Sequence, residues 1–210
     1  MTREIPEKTT LIGLIRHGET EWNTQKRIQG SGNSPLTPKG VSRTREWART
    51  LQQWPWDQIH ASDLGRVKQT VTILNKDLQL PVFFDERLRE QHWGEWEGLT
   101  LSSIKTDHRI ELERQVARGW EFTAPGGEAR SSVRNRVFAC LEQIVTEAPG
   151  KKILVVCHMG IIKTILYHIS NRAFRPEETG FIQNNLFHII SGDQDGFKLE
   201  CLNIPRQSNG

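Results

Sequence analysis

Two histidines stand where buried strands are expected to end. His17 follows the apolar run TLIGLIR, with Arg16 directly before it, and His158 follows KKILVVC. Short apolar runs of this kind predict buried strands, and the carboxyl ends of parallel strands form the ligand-binding edge of an α/β sheet. The pattern therefore predicts a cation beside an imidazole at that edge, and a second imidazole able to bind an anion. Either histidine alone also fits a strand-end side chain that is bonded to a carbonyl.

An arginine and a glutamate could complete a site of this kind. Arg66 lies in SDLGRVKQT, one short turn into a predicted helix, where the helix N-terminus and a guanidinium fork both favour phosphate oxygens. Glu90 could deliver a proton to a leaving group. The alternatives are a surface arginine paired to an acid and one of several surface acids, since Glu86, Glu95 and Glu97 are close in sequence.

The elements that must position these residues alternate between strands and helices. Alternation of this kind predicts an α/β fold, a three-layer α/β/α sandwich with a largely parallel central sheet and a small helical lid insert. The predicted strands are TLIGLIR, QIHAS, PVFFD, KKILVVC, LFHII and FKLECL. Thr37 before Pro38 predicts a helix start, with the helix reaching about Gln53. Ser62 and Asp63 are the predicted caps of the next helix.

Length, charge and composition limit the possible classes of protein. The chain has 210 residues, which suits a single domain over 1–210, and its net charge of +3 is too small to predict a nucleic-acid partner. No apolar run is long enough to predict a membrane span, and the polar start MTREIPEKTT favours a cytoplasmic location. The three cysteines are far apart in sequence and predict free thiols.

The order of the motifs resembles that of one protein family. RHGETEWN, RIQGSGNSPLTPKG, SDLGRVKQT, LREQHWGEWEG, PGGE and CHMG follow one another along the chain. In these motifs the sequence resembles the histidine phosphatase superfamily, also called the phosphoglycerate mutase-like family, from about Leu11 to Leu202. Several motifs in the right order are far more specific than the short RHG motif alone.

The resemblance implies a role for each matched residue. His17 would be the phosphohistidine nucleophile and Glu90 the proton donor. The remaining catalytic or substrate-binding residues would be Arg16, Thr20, Asn23, Gln29, Arg66 and His158. Fixed guanidinium groups would stabilise phosphoryl charge and disfavour a protonated nucleophile, so neither a metal nor another cofactor is expected. A zinc site is the rival interpretation, but no metal-ligand spacing supports it.

The implied activity is hydrolysis of a small-molecule phosphate ester, and two alternatives remain open. A cofactor-dependent phosphoglycerate mutase shares the motifs, although LREQHWGEWEG resembles the phosphatase branch and no Arg-Tyr-Gly segment follows the acid. A phospho-ligand-binding protein without catalysis is the alternative of another class. The oligomeric state and the physiological substrate are not predicted by the sequence.

Substrate selection is expected outside the phosphate pocket. The region 99–119 is the predicted lid, and the candidate wall or lid residues are Trp93, Trp96, His108, Arg109 and Trp120, although packing is the alternative for each tryptophan. The chain also departs from the family pattern at Asn33, Val67, Ala129 and Cys157. These positions surround the predicted pocket, and Cys157 is expected to be an inert buried thiol.

Overall fold

The central feature of the fold is a six-stranded sheet. The computed structural model describes residues 8–175, 177–178 and 180–206. The sheet order is β3-β2-β4-β1-β5-β6. The strands are β1 (Thr10–Arg16), β2 (Gln58–Ala61), β3 (Val82–Phe84), β4 (Lys152–Cys157), β5 (Phe187–Asp193) and β6 (Gly196–Ile204).

Seven α-helices and three short 3₁₀ helices connect the strands within the described residues. The α-helices are α1 (Glu21–Thr24), α2 (Pro38–Leu51), α3 (Gly65–Leu78), α4 (Leu101–Asp107), α5 (Arg109–Val116), α6 (Arg130–Glu147) and α7 (Met159–Ile169). The 3₁₀ helices are Glu86–Leu88, Gly94–Trp96 and Gly119–Glu121. None of the helices in the described part of the chain is long and apolar enough to cross a membrane.

The predicted three-layer α/β architecture is confirmed. Strands β3, β2, β4 and β1 run parallel, whereas β5 and β6 are antiparallel additions beside β1. On one face of the sheet, apolar residues of β1 and β4 pack with those of α6 and α7. On the other face, they pack with α2 and α3. Because both faces are covered, the central strands are apolar on both sides, as their continuous apolar runs predicted.

Helix starts show where local sequence rules succeeded and where they failed. Thr37 caps α2 as predicted, accepting a hydrogen bond from the N–H of Gly40, with Pro38 in the first turn. The predicted capping of α3 by Ser62 and Asp63 was wrong, because the N-cap residue is Leu64 and no side chain caps it. The Asp63 carboxylate instead pairs with Arg89 at the surface. Ser62 instead forms a hydrogen bond in the site described below.

The segment 99–119 covers a third apolar cluster. It contains α4 and α5, in agreement with the predicted helical character. Ile104 of α4 is buried against Trp96, Phe122 and Ala124. Trp96 and Phe122 have ring centroids 6.3 Å apart. The segment is therefore held to the domain by an apolar core of its own.

Candidate active site

The sheet brings the two predicted histidines to the same edge. β1 and β4 are adjacent and parallel, and their register pairs Arg16 with Cys157 at the carboxyl ends. The residues that follow, His17 and His158, are both buried. Their ring centroids lie 5.3 Å apart. Two residues that lie 141 positions apart along the chain thus form one site because their strands are neighbours.

The ring of His17 is held in a single tautomer. Its Nδ1 lies 2.8 Å from the Gly18 carbonyl oxygen, which can only accept, so Nδ1 carries the proton. Nε2 is left unprotonated and accepts a hydrogen bond from Nε of Arg66 at 3.3 Å. Burial lowers the pKa of His17 well below 6.5, and the charges of Arg16 and Arg66 lower it further. The neutral imidazole therefore carries its lone pair on Nε2, and this lone pair can act as a nucleophile once the Arg66 N–H is donated to an anionic ligand instead.

Gly18 allows the loop after His17 to pack closely against α2 and α3. A Cβ atom at this position would lie 2.6 Å from Oγ1 of Thr44 and 3.2 Å from the carbonyl oxygen of Gly40. The Gly18 N–H donates to Oγ1 of Thr70 at 3.0 Å. The glycine of RHG is therefore required because a side chain at this position would clash with α2 and displace the carbonyl that fixes the His17 ring.

Arg66 is anchored by backbone carbonyls rather than by a carboxylate. Its Nη1 donates to the Gly32 carbonyl at 2.6 Å, and its Nη2 donates to the Gly30 carbonyl at 2.8 Å. The Arg66 N–H itself donates to Oδ1 of Asn33 at 3.0 Å. Burial lowers the pKa of Arg66 to about 10, so it remains cationic at neutral pH. The loop of glycines before α2 therefore holds this cation without neutralising its charge.

His158 is connected to Arg66 on one side and to Ser62 on the other. Nη2 of Arg66 lies 3.1 Å from Nδ1 of His158, so this nitrogen accepts, and Nε2–H donates to Oγ of Ser62 at 2.9 Å. Burial and the charge of Arg66 lower the pKa of His158 well below 6.5. Ser62 thus orients the second histidine, whereas its place before α3 in the sequence had predicted a helix cap.

Arg16 supplies a second guanidinium next to the nucleophile. Its Nε atom is buried and has no hydrogen-bond partner among the described residues. Burial lowers the pKa of Arg16, while the charges of Glu90 and Glu19 act in the opposite direction. A buried donor without a protein partner is costly, and an anionic oxygen in the cavity would satisfy it.

Glu90 faces the same cavity, held by backbone N–H groups at both carboxylate oxygens. Oε1 accepts from the N–H of Gln91 at 3.0 Å, and Oε2 accepts from that of Gly160 at 3.1 Å. Gly160 must lack a side chain, because a Cβ atom there would lie 2.1 Å from Oε1. Two backbone donors from separate elements therefore fix the position of the predicted proton donor.

The glutamate of the PGGE motif supports the segment that carries Glu90. Arg136 of α6 pairs with the Glu128 carboxylate at 2.8 Å. The same guanidinium donates to the backbone carbonyls of Arg87, Arg89 and Glu90. Glu128 and Arg136 thus hold the backbone before the acid, and neither residue lines the cavity.

Most of the predicted site residues line a cavity of about 300 Å³, and two of them, His158 and Thr20, do not. Asn23 and Gln29 lie in its wall, as do His17, Arg66 and Glu90. His158 lies directly behind Arg66. Thr20 does not line the cavity, because it is fully buried and caps α1 by accepting a hydrogen bond from the N–H of Asn23. The predicted substrate contact of Thr20 is therefore replaced by a role in orienting Asn23.

Only one of the predicted wall residues lines the cavity. Trp93 does, whereas Trp96 packs in the core beneath α4. The Trp120 indole donates to the Arg172 carbonyl. The solvent-exposed Arg109 pairs with Glu113. His108 lies outside the wall as well, next to the Trp96 ring. No residue of 99–119 is part of this wall.

The remaining wall was not anticipated from the sequence. Arg130, Lys163 and Phe174 all line the cavity. Lys163 could have been found from its helical spacing, because it lies three residues after Gly160 on α7 and hence on the same face. Arg130 and Phe174 come from distant segments, and no local pattern in the sequence connects them.

The described side chains form no metal-binding cluster. In the part of the chain that the structure describes, no three His, Cys, Asp or Glu side chains come together to hold a metal ion. The zinc interpretation therefore finds no ligand set among these residues. Cys157 is buried behind the site, and burial raises the pKa of its thiol, which agrees with the expectation of an inert cysteine.

A three-layer fold with paired histidines and arginines at the sheet edge is the arrangement expected of the histidine phosphatases. The model of the histidine phosphatase superfamily (branch 1) matches residues 12–205. The chain belongs to this superfamily. The resemblance seen in the sequence motifs is thereby confirmed.

Relatives in this superfamily carry both phosphatase and mutase names. The chain is 32% identical over 201 residues to "Uncharacterized phosphatase PhoE" of Bacillus subtilis, covering 96% of this chain and 98% of that protein. It is 36% identical over 160 residues to "Probable phosphoglycerate mutase GpmB" of Shigella dysenteriae, covering 74% of each. The names of relatives alone therefore do not separate the two activities.

Solved structures show the same fold. Bacillus stearothermophilus YhfR superposes with a TM-score of 0.85 at 28% identity, covering 93% of this chain and 98% of that chain. The mycobacterial glucosyl-3-phosphoglycerate phosphatase, solved in complex with VO3, gives a TM-score of 0.83 at 26% identity, covering 93% and 99%.

The buried neutral histidines predict a fall in stability at mildly acidic pH. The pKa of His17 is depressed in the folded chain, so the unfolded chain binds the proton first as the pH falls below about 6.5. The stabilisation is complete above that pH and is lost as the pH falls toward the folded-state pKa. His17→Gln should reduce the slope of unfolding free energy between pH 6.5 and 5 by up to about 1.4 kcal/mol per pH unit.

Urea unfolding at several pH values measures that slope. His92→Gln is the control, because the His92 side chain is 49% exposed in the folded chain. The comparison separates the loss of a buried imidazole from the loss of an exposed one. An unchanged slope in His17→Gln would show that the ring is not buried in its neutral form.

Proposed function

We propose that this protein is a phosphatase that hydrolyses phosphate monoesters of small molecules through a phosphohistidine on His17. The observation that carries the proposal is the unprotonated Nε2 of His17, which lies in one cavity with Arg16, Arg66 and Glu90. A neutral nucleophile beside two cations is suited to an anionic electrophile. The carboxylate in the same cavity is suited to proton transfer.

The first half of the reaction transfers the phosphoryl group to the protein. Arg16, Arg66 and the Asn23 amide bind the phosphoryl oxygens, and Nε2 of His17 attacks phosphorus in line with the leaving oxygen. The N–P bond forms as the P–O bond breaks, and Glu90 gives its proton to the departing alkoxide. The hydrogen bond from Nδ1–H to the Gly18 carbonyl stabilises the positive charge that develops on the ring.

The second half of the reaction restores the enzyme. The Glu90 carboxylate accepts a proton from a water molecule as that water attacks phosphorus. The N–P bond breaks, its electron pair returns to Nε2 of His17, and inorganic phosphate leaves. Because Arg16 and Arg66 supply the positive charge at the phosphoryl group throughout, the proposed mechanism needs no divalent metal.

The names of relatives support a phosphatase and leave mutase activity as the second candidate. The relative that this chain matches over nearly its whole length is named a phosphatase. A relative matched over a shorter length is named a phosphoglycerate mutase. A mutase must return the phosphoryl group from His17 to another hydroxyl of the substrate instead of to water. With 3-phosphoglycerate, the proposed phosphatase releases inorganic phosphate, whereas primer-dependent formation of 2-phosphoglycerate would favour the mutase. The intact set of His17, Arg66 and Glu90 argues against an inactive binding protein.

Rapid quenching with labelled substrate should trap the intermediate. Enzyme mixed with ³²P-labelled phosphate ester in excess EDTA and quenched in alkali should carry label that is base-stable and acid-labile, as expected for phosphohistidine. His17→Ala should abolish both labelling and turnover, because the attacking nitrogen is absent. His92→Ala is the matched control and should label normally.

Label on another residue would refute the role of His17. Activity that is lost in EDTA and restored by a divalent ion would refute metal independence.

The role of Glu90 predicts dependence on the leaving group. An alkyl alkoxide needs a proton as its bond to phosphorus breaks, whereas p-nitrophenolate needs little help. Glu90→Gln should therefore reduce kcat/KM for an alkyl phosphate about 10²-fold more than for p-nitrophenyl phosphate. The control is Glu95→Gln, whose side chain is exposed and outside the cavity. Equal losses for both substrates in Glu90→Gln would contradict this assignment.

A further inference from the structure

The cavity contains a second group of cations beyond those assigned to the transferred phosphate. Among the described residues, its wall includes four arginines and one lysine but only one carboxylate, that of Glu90. Arg16 and Arg66 adjoin His17 and suffice for a phosphoryl group. Arg130 and Lys163 have no part in the chemical steps proposed above.

Arg130 is fixed in the wall by aromatic rings. Its guanidinium carbon lies 4.1 Å from the ring centroid of Phe122 and 4.4 Å from that of Phe174. Nη1 donates to the Gly119 carbonyl at 3.1 Å. Burial lowers the pKa of Arg130 to about 10, so the group is cationic at neutral pH. A planar guanidinium held between two rings is preorganised to bind a carboxylate or phosphate with its remaining N–H groups.

Lys163 lies on the face of α7 whose backbone binds the Glu90 carboxylate. Gly160, whose N–H binds the Glu90 carboxylate, precedes Lys163 by three residues, so both lie on one side of the helix. Burial lowers the pKa of Lys163, and the charge of Arg130 adds to the effect. Neither cation forms an ion pair with a carboxylate of the described residues. Among the described residues, Glu90 is the only carboxylate in the wall with these two partly buried cations, so the wall keeps an excess of positive charge that favours an anionic ligand.

The position of this pair relative to Glu90 defines which part of the substrate it would contact. Glu90 protonates the oxygen of the leaving alcohol, so the alcohol must extend past Glu90, away from Nε2 of His17. We infer that the preferred substrate is a phosphate ester whose alcohol carries a second anionic group, a carboxylate or another phosphate, bound by Arg130 and Lys163. The inference rests on the proposed function, because that function assigns the leaving group to the Glu90 side.

Binding of phosphonates tests the inference independently of turnover. Their C–P bond is not broken, so the phosphoryl group cannot be transferred to His17. Wild-type enzyme should bind 3-phosphonopropionate about 10- to 100-fold more tightly than propylphosphonate by calorimetry, the range expected for charged hydrogen bonds. Propane-1,3-bisphosphonate in the same experiment distinguishes a second phosphate from a carboxylate. Lys163→Met should reduce the ratio of the two dissociation constants about tenfold, and Lys163→Arg should restore it.

Matched variants separate the subsite from general electrostatics and from misfolding. Arg130→Gln should also reduce the ratio, whereas Arg134→Gln should not, because Arg134 lies on the same helix outside the cavity. Propylphosphonate affinity in each variant reports whether the phosphate pocket is intact, and Lys163→Met tests the inference if Arg130→Gln fails to fold. A wild-type ratio near one, or a ratio unchanged in Lys163→Met, would overturn the inference. Hydrolysis of p-nitrophenyl phosphate tests the proposed function separately.

Discussion

The hydrogen bonds of the Arg66 guanidinium are the interactions on which the site depends. One side chain donates to Nε2 of His17, to Nδ1 of His158 and to the carbonyls of Gly30 and Gly32. A buried charge is costly unless hydrogen bonds satisfy it. Here the partners are neutral carbonyls and imidazoles, so the group stays buried without losing its charge to a carboxylate. The same contacts fix which nitrogen of each histidine is unprotonated.

The fold can be understood as the means of assembling these contacts. β1 and β4 must be neighbours for His17 and His158 to meet, and α3 must begin beside the sheet edge for Arg66 to reach between them. The loop before α2 that contains Gly30 and Gly32 must cross over the start of α3, so that its carbonyls accept hydrogen bonds from Arg66. Apolar clusters on both faces of the sheet hold these elements in place. The cost of burying a cation is therefore offset by packing elsewhere in the domain.

The sequence was sufficient where local pattern and strand order determine the outcome. Apolar runs ending in His17 and His158 predicted two strands that end at the same sheet edge, and the structure places these residues together with Arg66 and Glu90. It was insufficient where contacts depend on distant loops. The hydrogen bond between Ser62 and His158 was missed because it joins segments 96 positions apart, and Ser62 was predicted to cap a helix instead. Arg130 was missed because its stacking partner Phe174 comes from a separate loop. Thr20 was misplaced because a hydroxyl near a motif can cap a helix as readily as bind a ligand.

The contacts of His17 require a ring that is neutral at physiological pH, with its proton on Nδ1 and its lone pair on Nε2. Nitrogen-15 NMR of histidine-labelled protein measures this directly, because ring nitrogens with and without a proton have well-separated chemical shifts. With His17 assigned by comparison with His17→Gln, we expect a protonated Nδ1 and an unprotonated Nε2 at pH 7, and the same state at pH 6. An imidazolium at pH 7, or a neutral ring with its proton on Nε2, would show that His17 is not a nucleophile through Nε2 in the folded protein.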